Sequence, residues 1–283
     1  MIAVPSLPQI LEQSLRAESD TWNPLVLHIS DLGYGIGEKC PRQLWLRLRG
    51  AERRPDTPGE MLMFEHGKRI HIRLVEMLRP HLPPEWEIES VERAVSLGPI
   101  RGSYDVRMFH KREGWELIID FKSVRGRKFG YLKEADPKDA LQVQGYQMAG
   151  DSDGGLLFYA DREGQNFACQ FYVERDDNRV ESAMFSIIGI ARSAEAPPIL
   201  EPKLKIAANK GPDSVKLEMP WQCSWCRHIG LSCPGALPPK MRELGIVGHV
   251  DGDGNFIPKV KDTEVVSVVE TLLDMGGYSP IPF

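Results

Sequence analysis

The chain has 283 residues, of which 42% are hydrophobic and 27% charged, and its 35 Lys and Arg against 40 Asp and Glu give a formal net charge of −5. This is the balance of a soluble globular protein able to bury a sizeable core, as one large domain or one domain with extensions. It argues against a protein that coats nucleic acid by bulk charge, and with no apolar run near the ~20 residues of a membrane helix and no signal-peptide pattern in MIAVPSLPQILEQSL, the chain reads as cytoplasmic with no membrane partner.

In chain order, residues 1–26 read as an extension with a short amphipathic helix around Leu7 to Leu15. A helix is expected from Pro41 to Leu48, directly after Cys40, and a long one from about Glu60 to Leu78, where Met63, Phe64, Ile70, Leu74, Met77 and Leu78 recur at helical spacing. Strands are expected over 86–97, 102–109 and 115–122, the last two joined by the polar turn Lys111 to Gly114. Asp136 as N-cap and Pro137 at the first helical position open a helix that runs to about Ala149. Strands near 155–160 and 167–173 follow, then a helix near 177–193. The stretch 194–222, rich in Pro and Lys, reads as irregular. Residues 223–235 carry a cysteine cluster, and the tail 237–283 should hold one helix, Glu264 to Met275, stopped by Gly276-Gly277. The fold class this order predicts is α/β: a central mixed β-sheet flanked by helices.

The chemistry concentrates in Gly102-Ser-Tyr-Asp105 and Ile118-Ile-Asp120-Phe-Lys122. Residues two apart on a strand share a face, so Asp120 and Lys122 point the same way and Phe121 the other. A regular hairpin centred between Arg112 and Glu113 sets Asp105 opposite Asp120, and sets Tyr104, Val106 and Met108 against Phe121, Ile119 and Leu117. The second set is apolar throughout, as a core face should be. Two carboxylates directly across a strand pair repel each other, and a cation between them relieves the repulsion. Oxygen ligands suit Mg²⁺ or Mn²⁺, and a lysine beside such an ion can stabilise charge on a phosphate. By itself an Asp-x-Lys match is common and would be read as solvated side chains.

Two helical motifs accompany this constellation. His71 shares an otherwise apolar helix face with Gly67, Leu74 and Leu78; alone, it would be read as a core histidine. Gln142 and Tyr146, four apart on the proline-started helix, stack on one face. Together, Gly67-x-x-x-His71, Asp105, Asp120-Phe121-Lys122 and Gln142-x-x-x-Tyr146 resemble the motif series of the RecB-like nucleases of the PD-(D/E)XK superfamily, over about residues 27–236. Asp stands at position 120 where Glu is more frequent. The resemblance implies a restriction-endonuclease-like core and a Mg²⁺- or Mn²⁺-dependent DNA exonuclease. In that reading His71, Asp105 and Asp120 ligate the metal, with the Phe121 carbonyl as an extra ligand. Lys122 is the catalytic lysine, and Gln142 and Tyr146 support the site and the DNA.

Of the five cysteines, Cys223-Ser-Trp-Cys226, Cys233 and the distant Cys40 have ligand-like placement. Spacing alone suits structural zinc as well as an iron–sulfur cluster. One distant N-terminal cysteine, in Cys40-Pro-Arg, plus three near the C-terminus resembles the iron staple of the AddB nuclease and of the fourth CRISPR-associated protein family, and implies a 4Fe–4S cluster joining the N- and C-terminal segments. Six residues precede Cys233 where five are common. Cys169, among aromatic residues, reads as core. Asp251-Gly-Asp253-Gly-Asn255 lacks the glycine of a calcium loop, since Phe256 stands at the sixth position, and reads as a turn.

The domains are thus expected at 1–26 (extension), 27–236 (nuclease with its cluster) and 237–283 (tail). The function implied is phosphodiester hydrolysis on single-stranded DNA or DNA ends, in recombination, repair, phage DNA processing or CRISPR adaptation, with DNA as partner and with recombination, replication or CRISPR adaptation proteins beside it. The alternative is a catalytically weak DNA-binding or assembly subunit that keeps the fold. Arg125, Arg127 and Lys128, directly after the proposed site, are expected to meet DNA, whereas Arg47, Arg49, Arg53 and Arg54 fit a solvated face equally well.

Overall fold

Two tight turns build the centre of the molecule. Gly98, at φ +56°, lets β1 (Trp86–Leu97) reverse into β2 (Ile100–His110), and Gly114, at φ +67°, closes the turn into β3 (Trp115–Val124). Both pairs are antiparallel. The β2–β3 register runs Val106↔Ile119, Met108↔Leu117 and His110↔Trp115, as the symmetric hairpin requires. β4 (Gly154–Asp161) then lies parallel to β3, and β5 (Ala168–Val173) antiparallel to β4, which gives a mixed five-stranded sheet in the order β1-β2-β3-β4-β5. A parallel neighbour needs a crossover. Here the connection contains α4 (Gly126–Phe129) and α5 (Pro137–Gly150).

The computed structural model describes residues 25–163 and 168–200, together with 15, 16, 23, 203–206, 215–218, 220–224, 226–229, 231–233, 247–250 and 256–258. Before the sheet come the one-turn α1 (Leu32–Gly35), α2 (Pro41–Leu48) and α3 (Pro58–Leu78), and α6 (Asp177–Arg192) follows β5. Their starts obey local chemistry. Thr57 and Glu60 form a reciprocal capping box before Pro58. Asp136 accepts from Lys138 N ahead of Pro137, and Asp176 accepts from Arg179 N.

The core lies on both faces of the sheet. On one, Tyr104, Ile118, Leu141 and Tyr146 pack with Ile29, Leu32, Val180 and Ile187. On the other, Val106, Met108, Leu117, Ile119 and Phe121 pack under Val75, Leu74 and Leu78 of α3. Tyr104 departs from expectation: it belongs to the first group, not beside Phe121, and the β2–β3 ladder stops at Val106↔Ile119. On α3, Met63, Phe64 and Met77 are exposed whereas Met61 and Val75 are buried. The apolar residues outnumber the positions that the sheet covers.

The chain divides into two units: Met1–Gly50 with Pro55–Glu195, which holds the five-stranded sheet, and Ala51–Arg54 with Ala196–Phe283. The second contains an antiparallel sheet of β6 (Lys203–Ile206), β7 (Val215–Glu218), β8 (Val247–Val250) and β9 (Phe256–Pro258), and the short α7 (Trp221–Ser224). The stretch 194–222 is therefore not wholly irregular. Lys-Leu-Lys-Ile and Val-Lys-Leu-Glu alternate with period two, a strand signal hidden by the surrounding Pro and Lys. The helix expected at Glu264 to Met275 and the turn at 251–255 lie outside the described residues, as does most of the helix expected around Leu7 to Leu15, of which Leu15 is described and helical. No helix among the described residues is long and apolar enough to cross a membrane.

Candidate active site

Asp105, on the central strand of the two hairpins, is buried at 9% exposure. Past Val106↔Ile119 the backbone ladder gives way to a side chain: the Phe121 N–H donates to Asp105 Oδ2 at 2.6 Å. The other oxygen, Oδ1, lies 3.4 Å from His71 Nδ1 on α3. Burial draws the His71 imidazolium down, but the hydrogen bond and charge of Asp105, then the charges of Asp120 and Glu92, outweigh it and hold its pKa above the ordinary value. The His71 ring also leans on Phe121, with centroids 5.7 Å apart. One turn earlier on the helix, Gly67 faces the strand that carries the lysine: a Cβ there would sit 3.6 Å from Ser123 Oγ.

Asp120 and Lys122 share a face of β3, as alternation demands. The Asp120 carboxylate is 3% exposed. Its Oδ2 has no aligned hydrogen-bond donor but lies 2.7 Å from Lys122 Nζ. Burial, opposed by the charge of Lys122 and helped by that of Asp105, pushes the Asp120 carboxyl up to about 6. Burial would lower Lys122, yet the charge of Asp120, then that of Asp139, overcomes it and raises the ammonium's pKa, so the side chain stays a cation.

The crossover helix supplies the next layer. Lys122 Nζ donates to Gln142 Oε1 at 2.9 Å, and Gln142 Nε2 donates to Tyr146 Oη at 3.0 Å. The four-residue spacing sets the glutamine over the tyrosine, and the parallel β3–β4 crossover lays this helix beside the lysine. Burial, then the negative charge of Asp120, raises the Tyr146 phenol, which stays protonated. Gly102 admits the ring: a Cβ at that position would stand 2.9 Å from Tyr146 Cε1.

The structure thus brings His71 to Asp105, and Asp120 to Lys122, Gln142 and Tyr146. It also adds a residue that the sequence reading passed over. Among the described residues, the set of three or more His, Cys, Asp or Glu side chains whose ligand atoms lie within 4.8 Å of one another is His71, Glu92 and Asp105. Asp120 stands outside this set, turned onto Lys122. Burial first, then the charge of Asp105, raises the Glu92 carboxyl, while His71 and Lys68 lower it. The overlooked signal is the same hairpin symmetry that was applied to β2 and β3: about the Gly98-Pro99 turn it sets Glu92 against Asp105.

The cysteines divide between the two units. Cys40 caps α2 in the first. In the second, Cys226 N donates to Cys223 O at 3.1 Å and Cys233 N to His228 O at 2.9 Å, so the backbone folds these three positions into adjacent turns. Among the described residues, their ligand atoms are not grouped into a set of the kind that His71, Glu92 and Asp105 make. Cys169 is half-buried in β5, against the cluster of Val143, Leu157 and Tyr159. Of the arginines weighed evenly between a solvated face and DNA contact, Arg47 is buried and paired with Asp31. Arg125 is exposed after β3.

No family model matches the chain, and no curated protein matches it by sequence. Among solved structures it is similar to an alkaline exonuclease, LHK-Exo, from Laribacter hongkongensis, with a TM-score of 0.45 at 10% identity over 63% of this chain and 90% of that one. For LHK-Exo in complex with dAMP the TM-score is 0.44 at 11% identity, over 59% and 86%. For a phage-related exonuclease from Haemophilus somnus 129PT it is 0.38 at 14% identity, over 60% and 93%. Likeness at this level concerns the path of the backbone, and the functional reading rests on the side chains.

Proposed function

We propose that the protein is a divalent-metal-dependent deoxyribonuclease of the RecB-like PD-(D/E)XK kind, an exonuclease that hydrolyses phosphodiester bonds in single-stranded DNA or at DNA ends. The observation that carries this reading is the buried Asp120 carboxylate held 2.7 Å from the Lys122 ammonium on one strand. Solvated acids on a sheet face would be neither buried nor tethered in this way. The donors fit a divalent cation: His71, Asp105, Asp120 and the Phe121 carbonyl offer one imidazole and hard oxygens, the chemistry of Mg²⁺ or Mn²⁺ sites. Such an ion, when bound, polarises a phosphoryl oxygen and lowers the pKa of a water.

The chain's own groups supply the rest. Lys122, kept charged by Asp120, acts as a hydrogen-bond donor to developing phosphate charge and not as a base. Gln142 fixes the ammonium by accepting from it, and Tyr146 fixes Gln142. Asp105, held by the Phe121 N–H, cannot swing away from the site. Arg125, Arg127 and Lys128 follow directly on β3, where the DNA backbone would pass. Cys40, Cys223, Cys226 and Cys233 as ligands of a 4Fe–4S cluster, and a role in recombination, repair, phage DNA processing or CRISPR adaptation, rest on the sequence resemblance alone.

The test is a digestion assay with Mn²⁺ on end-labelled single- and double-stranded DNA, comparing wild type with Lys122→Ala and Asp120→Ala. Each substitution is expected to slow digestion on the order of 100-fold or more. Equal digestion by all three proteins overturns the reading.

A further inference from the structure

Asp105 stands in the middle of a row of carboxylates. On the β3 side, past the end of the ladder at Val106↔Ile119, its charge acts on that of Asp120. On the β1 side, the register runs through Val91↔Val106 and Arg93↔Tyr104, so the residue between, Glu92, stands opposite Asp105. Acids on three adjacent strands repel one another, and like charges directly opposite destabilise a sheet.

The β1 end of the row has the makings of a ligand set. Glu92, His71 and Asp105 bring one carboxylate oxygen, one imidazole nitrogen and another carboxylate oxygen within 4.8 Å of one another. The β1–β2 hairpin brings Glu92 and Asp105 together, whereas His71 arrives from the separate helix α3. One further observation makes this more than an acidic cluster. His71 Nδ1 lies 3.4 Å from Asp105 Oδ1, so the imidazole adds a nitrogen donor to the two carboxylates. Glu92 also holds an unusual backbone, φ +50° within a strand.

We propose that Glu92 is a ligand of the divalent cation, holding it with His71 and Asp105 at the β1 end of the carboxylate row. This rests on the metal-dependent reading above and deepens it. Glu92 then adds a β1 carboxylate to the donors named above, His71 of α3, Asp105 of β2, and Asp120 and the Phe121 carbonyl of β3. One nitrogen among the donors biases the site from Mg²⁺ toward Mn²⁺.

Mn²⁺ alone is the probe. Full-length, EDTA-treated protein is titrated by calorimetry and followed by thermal melting with and without Mn²⁺, for wild type, Glu92→Gln, Glu92→Asn and Asp105→Asn. Asparagine tolerates a positive φ, so the second variant separates the carboxylate from the backbone. Both Glu92 variants are expected to weaken Mn²⁺ binding at least about tenfold, to melt no lower than wild type without metal, and to lose most of the Mn²⁺-induced rise in Tm. Wild-type Mn²⁺ affinity in both, with Asp105→Asn impaired, overturns the role of Glu92 and leaves the nuclease reading standing. A lower metal-free Tm in both with unchanged affinity also overturns it, marking Glu92 as structural. A wild-type protein that binds no Mn²⁺ removes the nuclease reading itself.

Discussion

The carboxylate of Asp105 takes the place of a strand: its Oδ2 receives the Phe121 N–H at 2.6 Å where a backbone carbonyl would otherwise serve. This one bond ties the β2 acid to the strand that carries Asp120 and Lys122. Asp105→Ala leaves a buried N–H without an acceptor, and the expected cost is about 1–3 kcal/mol. Asp105→Asn keeps an acceptor oxygen and should cost less than half of that while still abolishing Mn²⁺ binding. Urea unfolding of the metal-free proteins separates the two, and equal stability of alanine variant and wild type would show that the bond does not matter.

Lys122 hands one hydrogen bond to Gln142, which hands one to Tyr146. Tyr146→Phe removes only the last acceptor. Fold stability is expected to fall by about 1 kcal/mol. The rate of DNA digestion should fall roughly tenfold through kcat, with KM little changed, because a loosened Gln142 no longer fixes the ammonium. A pure KM effect would point to Tyr146 binding DNA instead.

Gly102→Ala probes the same ring from the other side. A Cβ would meet Tyr146 Cε1 at 2.9 Å and Ile29 Cδ1 at 3.0 Å. Overpacking of this kind is expected to cost about 1–3 kcal/mol. Because the ring must move, digestion should drop along with Tm. Loss of stability with full activity would separate Tyr146's position from the chemistry.

The sequence was readable where two local rules agreed. Alternation and a symmetric turn fixed Val106↔Ile119 and Met108↔Leu117, because the apolar partner face admits no other register. The Asp136-Pro137 helix start was equally local. Glu92 was missed because the symmetry of the first hairpin, about Gly98-Pro99, was not followed out to Asp105 as that of the second hairpin was. Met63, Phe64 and Met77 misled because helical periodicity shows which residues share a stripe, not how far along α3 the sheet reaches. The β6 and β7 strands were masked by composition. Three cysteines close in sequence and one far away say which residues could share a cluster, while the chain path between them is a tertiary property.

Arg47 was grouped with surface arginines and is instead buried beside Asp31, both side chains under 10% exposed, with its Nη1 donating to Val26 O at 3.1 Å. Asp31→Ala strands a buried charge, and the expected loss is about 3–5 kcal/mol. DNA affinity of the protein that remains folded should not change. A weaker salt dependence of DNA binding in a folded Arg47 variant would restore the surface reading.

Iron and zinc at the cysteines separate by eye and by assay. Anaerobically purified protein with a 4Fe–4S cluster is brown, with broad visible absorption that Cys223→Ser or Cys40→Ser should abolish. A colourless preparation with stoichiometric zinc decides for the alternative. A preparation with neither metal removes both.

The parallel pairing of β3 with β4 has an outcome that reaches past packing. A strand that runs alongside its successor obliges the chain to travel back over the sheet first, and here that return path is α5. Asp120, Lys122, Gln142 and Tyr146 therefore fall within one uninterrupted stretch, in which Lys122 pairs with Asp120, Gln142 accepts from Lys122 and Tyr146 accepts from Gln142. Much of the proposed site travels as a single cassette, to which the elements bearing His71, Glu92 and Asp105 are brought from earlier in the chain.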